Sequence, residues 1–79
     1  MTLSLVLYVR EGCHLCEQFA LDFSLDFPQA APALRLCDVD ADPALAVEFG
    51  LRVPVLSVAG RAVCEGVYDS GEVRRALGL

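Results

Sequence analysis

The chain has 79 residues, 56% hydrophobic and 22% charged, with a formal net charge of −5. That length supports one domain with one modest core, and the absence of Ser/Gly-rich, Pro-rich or charge-block stretches excludes a disordered chain or a linker. Six scattered basic residues against eleven acidic ones would repel a phosphate backbone, so no nucleic-acid partner is expected.

The first apolar run, Leu3 to Val9, has apolar residues on both alternating faces except at Ser4, which predicts a central strand covered on both sides. Within it "LVLYV" is too short to span a membrane, and no basic region or small-residue cleavage site accompanies it, so no membrane association and a cytoplasmic location are expected. After the turn "REG" the period changes. Cys16, Phe19, Ala20 and Phe23 recur at spacings of three and four, an amphipathic helix that opens at Cys13 and is stopped by Pro28 and Pro32.

"ALRLCDV" then alternates Leu34 and Leu36 with Arg35 and Cys37, a second strand. Asp42 before Pro43 forms an N-cap and first-turn pair for a short helix through "ALAVEF", with Gly50 placed to close it in a left-handed conformation. Two short apolar runs joined through Ala59-Gly60 predict a hairpin, and Asp69 with Glu72 forms a capping-box pattern ahead of a last helix through Val73, Ala76 and Leu77. The order is β-α-β-α-β-β-α. A right-handed crossover makes the first two strands parallel and the hairpin makes the last two antiparallel, giving a four-stranded mixed α/β sheet flanked by three helices.

Four cysteines in a chain without an export signal direct attention to metal or redox chemistry rather than to a disulfide scaffold. "CHLC" is not a haem attachment sequence, because the histidine lies between the cysteines instead of after them. A zinc ribbon needs a second ligand pair, whereas Cys37 and Cys64 stand singly on different strands, and no metal site is expected. "DVDADP" places Asp38, Asp40 and Asp42 like the first ligands of a calcium loop. Pro43 and Phe49 occupy the places of its glycine and glutamate, so Asp42 reads as a helix cap and the other two aspartates as solvated. Thiol-disulfide exchange fits the position best. A helix N-terminus lowers a thiol pKa, making Cys13 the nucleophile, and Cys16, one turn inward, the resolving thiol. His14 reads as a solvated first-turn side chain that would assist the thiolate only if protonated.

"YVREGCHLC", "LRVPV" and "EGVYDSGEV" together resemble the thioredoxin superfamily, most closely its small bacterial glutaredoxin-like proteins, over nearly the whole chain. The resemblance implies a single glutaredoxin-like domain over residues 1–79 with a thioredoxin-like fold. It further implies a cis Pro54 against the dithiol, with Val53 offering its N–H and C=O to glutathione or a peptide. It assigns Arg10, and Gly66 with Asp69 at the last helix, to glutathione carboxylates; Arg52, next to Val53, is a further candidate, and His14, Leu15 and Tyr68 are expected to border the bound substrate. The chain departs from the family pattern in having His14-Leu15 between the cysteines, Arg52 before Val-Pro, Glu65 before Gly66, and Tyr68 where an acidic residue is usual.

The expected function is therefore a monomeric thiol-disulfide oxidoreductase that reduces protein disulfides or glutathione mixed disulfides, with electrons returned by glutathione or a reductase. No tightly bound cofactor is expected, and glutathione would serve as co-substrate. Two other classes remain open: a non-catalytic module that binds a peptide or a glutathione-like thiol, and a thiolate ligand set for zinc or a cluster. Cys37 and Cys64 read as core-packing thiols, with Cys64 also a candidate for glutathionylation.

Overall fold

The computed structural model describes residues 4–79. Each strand is short, the two inner ones largely apolar and the two outer ones carrying charged residues, and each α-helix begins at a capping residue. β1 (Leu5–Val9) is followed by α1 (His14–Asp26), β2 (Leu34–Asp38), α2 (Pro43–Phe49), β3 (Val55–Val58), β4 (Arg61–Glu65) and α3 (Ser70–Leu77), with 3₁₀ turns at Ala31–Ala33 and Val39–Ala41. Ser4 lies ahead of β1 as an irregular residue, and Leu3, which the apolar run assigns to the strand, lies outside the described residues.

The sheet order is β2-β1-β3-β4, with β1 parallel to β2 and antiparallel to β3, and β3 antiparallel to β4. β1 is therefore central, and period-two alternation sends its side chains into two layers. Leu5 and Leu7 join Phe19 and Phe23 of α1, Leu56 and Val58 of β3, and Val73 of α3 in the main core. On the other face Tyr8 packs with Val39, Phe49 and Val55 in a smaller core beneath α2. The spacing of Cys16, Phe19 and Phe23 explains how α1 is held, since these three are its buried positions.

Two expectations are corrected here. β2 is an edge strand, so Leu36 is 63% exposed and Cys37 only half-buried; alternation alone does not tell a core face from a solvent face when no helix covers the edge. Gly50 closes α2 in the right-handed region, at φ −54°, and not in the left-handed one. Its glycine answers a close approach instead, because a Cβ there would collide with the Ala46 carbonyl and lie 2.9 Å from the Arg10 guanidinium.

The hairpin between β3 and β4 turns through Ala59 at φ 52° and Gly60 at φ 83°. Positive φ at both central residues suits the twist of the flanking strands, and it costs nothing at glycine but is unfavourable at alanine. Replacing Ala59 with Asn should therefore stabilise the fold by up to about 1 kcal/mol, read as a higher urea midpoint with unchanged slope. An unchanged or lower midpoint would contradict the strain assigned to this turn.

Candidate active site at the carboxyl end of β1

The central strand delivers the chain to the site. Beyond Val9, Gly12 at φ +75° turns the backbone back with nothing within 4 Å of where a Cβ would stand, so the conformation itself demands glycine. The Cys13 N–H closes this turn onto the Arg10 carbonyl at 3.2 Å. Cys13 is then the N-cap of α1, in extended conformation (φ −90°, ψ 105°), and its Sγ accepts a hydrogen bond from the Cys16 N–H at 3.1 Å. A sulfur here fills the place that an Asp or Ser oxygen takes in other caps, and negative charge on it meets the unpaired N–H groups of the first turn.

Cys13 and Cys16 are joined by a disulfide, with Cα atoms 5.2 Å apart. The two sulfurs are not equivalent. Cys13 is half-buried at the surface, whereas Cys16 is 4% exposed behind it. Between them His14 and Leu15 project outward, the imidazole fully exposed and 3.9 Å from Glu17.

Two loops border this turn. Tyr8 pairs with Val55, so the Val53–Pro54 peptide, which is cis, runs beside Val9 and Arg10. Gly66, just past β4, donates its N–H to the Pro54 carbonyl at 2.8 Å. Cys13, Pro54 and Gly66 thus belong to three neighbouring loops at one end of the sheet, the end at which open α/β sheets place their ligands.

Several residues assigned to substrate by the resemblance are engaged within the chain. Arg10 grips both carboxylate oxygens of Asp40, at 3.0 and 2.9 Å, and donates to the Gly50 carbonyl at 3.0 Å. Arg52 places Nη2 2.7 Å from Glu65 Oε2 and rests 5.1 Å above the Phe49 ring; this pair holds the Glu65 carboxyl below the usual carboxylate range. Val53 already donates its N–H to the Phe49 carbonyl at 3.0 Å, which leaves its C=O as the group that can receive a substrate. Asp69 caps α3, accepting from Gly71 and Glu72 N–H at 2.9 and 3.1 Å. Tyr68 is turned away from the dithiol. Its ring stands edge-on to Phe19 and its hydroxyl donates to Asp26 at 2.8 Å, at the far end of α1 and roughly 20 Å from Cys13 by helix rise.

The sequence reading missed these three acidic partners, since pairs 30, 13 and 42 residues apart leave no local signature. Asp38 and Asp40 are accordingly not merely solvated: Asp38 accepts from the Asp40 N–H at 2.9 Å, and Asp40 holds Arg10. Asp42 does cap α2, accepting from Ala44 N–H at 2.9 Å. Cys64 is 6% exposed and donates to the Val67 carbonyl at 3.6 Å, and burial pushes its thiol pKa up, so it is a poor target for glutathionylation. Among the described residues no three His, Cys, Asp or Glu side chains converge to hold a metal ion, and no helix is long and apolar enough to cross a membrane.

A four-stranded mixed sheet carrying a capped dithiol at the head of α1 makes this a protein of the α/β thioredoxin-like fold. The chain belongs to the glutaredoxin-like domain family (DUF836), whose model matches residues 4–78. Among solved structures it is similar to protein Ne2328 of Nitrosomonas europaea, determined by solution NMR, with 28% identity, a TM-score of 0.82, and coverage of 95% of this chain and 91% of that one. It is also similar to the X-ray structure of protein XcR50 from X. campestris, with 36% identity, a TM-score of 0.73, and coverage of 94% and 95%. No curated protein matches the chain.

Tyr68 gives the site's surroundings a pH signature. Burial first, and then the bond to the Asp26 carboxylate, raise its pKa above the ordinary tyrosine value, so its contribution to stability is complete below about pH 10 and lost as pH rises further. Urea midpoints measured from about pH 8 to about pH 11 should fall, and Tyr68→Phe should flatten the upper part of that fall. An identical alkaline slope in the variant would contradict this assignment.

Proposed function

We propose that the protein is a dithiol oxidoreductase in which Cys13 attacks a substrate disulfide and Cys16 resolves the intermediate. The observation that carries this reading is the cap itself: the sulfur of half-buried Cys13 accepts an N–H at the start of α1, with the buried Cys16 bonded behind it.

In the reduced protein the Cys13 thiolate attacks one sulfur of the substrate. A Cys13–substrate disulfide forms, the substrate's S–S bond breaks, and the departing thiolate takes up a proton. Cys16 then loses its proton and attacks the Cys13 sulfur, which closes the Cys13–Cys16 disulfide and expels the second substrate thiolate. Two electrons pass from the dithiol to the substrate. The cycle is completed by a thiol reductant, either glutathione or a reductase.

The substrate is a protein disulfide or a glutathione mixed disulfide, laid along the ledge of Val53, Pro54 and Gly66. The Val53 carbonyl accepts from its backbone, and His14 and Leu15 border it on the side of α1. The first turn of α3 near Asp69 closes the other side. A second reading, a binding module without turnover, is favoured by one observation: Arg10 and Arg52 are both paired with carboxylates of the same chain.

Turnover separates the two readings. Reduction of insulin and of a glutathionylated peptide, with dithiothreitol as electron source, should proceed in wild type and fall to the uncatalysed rate in Cys13→Ser. Cys16→Ser should instead accumulate a mixed disulfide on Cys13, visible as an added mass. A wild type with no activity on either substrate would support the binding module and overturn the exchange reading.

A further inference from the structure

The dithiol stands at the negative pole of the molecule. All six basic residues are arginines, and four of them lie where β1 begins: Arg35 and Arg61 near the starts of β2 and β4, and Arg74 and Arg75 in the last turn of α3. Only two of the eleven acidic residues, Asp22 and Asp26, share that end, on the later turns of α1. The dithiol half therefore holds nine acidic groups against Arg10 and Arg52, a balance of seven negative charges, while the far half holds four arginines against two acids. The fold sorts the charges in this way because β1, β2 and β4 all run toward the dithiol, and α1 and α3 run away from it.

The two arginines do not offset this locally. Asp40 occupies the guanidinium edge of Arg10 with both its oxygens, and Glu65 occupies two donors of Arg52. Glu11 and Glu17, both exposed, flank Cys13 on the other side. A ligand with two carboxylates would meet carboxylates here, and the cations it needs are already paired. A basic segment would meet the opposite situation, with Leu15, 54% exposed between the two cysteines, and Leu51, fully exposed two residues before Val53, offering apolar contact.

We infer that the disulfide this site accepts is carried on a basic protein segment, and that anionic thiols of the glutathione kind are disfavoured. The inference rests on the exchange activity proposed above. A single-sign field around a reactive group changes encounter rates by roughly ten- to a thousandfold, and it is screened by salt.

The test uses three mixed disulfides sharing thionitrobenzoate as leaving group: a peptide with arginines beside its cysteine, the same peptide with glutamates, and glutathione. Release by the reduced protein is followed in stopped flow, and each rate is divided by that of dithiothreitol with the same compound to remove intrinsic reactivity. At about 20 mM salt the arginine peptide should react at least about tenfold faster than the glutamate peptide or glutathione, and the ratio should shrink toward one near 0.5 M. A ratio of one or less at low salt, or one that salt leaves unchanged, overturns the charge preference while leaving exchange intact. No Cys13-dependent release from any of the three removes the exchange activity and this inference with it. In addition, Asp40→Asn combined with Glu65→Gln, checked for an intact melting transition, should raise the normalised glutathione rate severalfold; an unchanged rate in the folded variant counts against the neutralised-arginine argument. The wild-type salt series decides the question if that variant does not fold.

Discussion

A single hydrogen bond, from the Cys16 N–H to the Cys13 sulfur, is the contact on which the site depends. It exists because β1 ends where the chain can turn at Gly12, and because α1 begins one residue beyond the sulfur. It persists because Phe19 and Phe23 fix the same helix against the sheet two and three turns further on. Core packing and sulfur chemistry are thus linked through one rigid element, and loosening the aromatic face of α1 would move the cap.

Two electric fields of opposite sense act at Cys13, and they differ in range. The N–H groups of the first turn act within a few ångströms and are barely screened, so they favour the thiolate at any ionic strength. The carboxylates gathered at this end, exposed Glu11 and Glu17 among them, act over about a Debye length; they steer charged partners and also oppose the thiolate, and salt screens both effects. The Arg10–Asp40 and Arg52–Glu65 pairs, both partly exposed, contribute little to stability. Their consequence lies in removing cations from the vicinity of the dithiol, and in tying the turn before Cys13 to the ends of β2 and α2.

The fold was legible because each signal it needed is local. The spacing of Cys16, Phe19 and Phe23 marked the buried face of α1, Asp42 and Asp69 marked helix starts, and Ala59-Gly60 marked the hairpin. The dithiol was legible for the same reason, since four consecutive residues contain it. Misreadings arose where the answer depended on something distant. Leu36 alternates like a core residue but sits on an uncovered edge, and Gly50 looks like a left-handed cap but is glycine because a Cβ would collide with the Ala46 carbonyl and crowd the Arg10 guanidinium. The intramolecular partners of Arg10, Arg52 and Tyr68, namely Asp40, Glu65 and Asp26, were illegible for the same reason, since only the folded chain brings them together.

The most direct test of the account is the pKa of Cys13 in the reduced protein. It can be read from thiolate absorbance as the difference between wild type and Cys13→Ser, so that Cys37 and Cys64 cancel. A sulfur that caps α1 should ionise below the free-cysteine reference of about 8.5, and its pKa should not rise when salt screens the surrounding carboxylates. A value at or above that reference would mean that the helix start does not stabilise the thiolate, and the chemistry assigned to this dithiol would lose its basis.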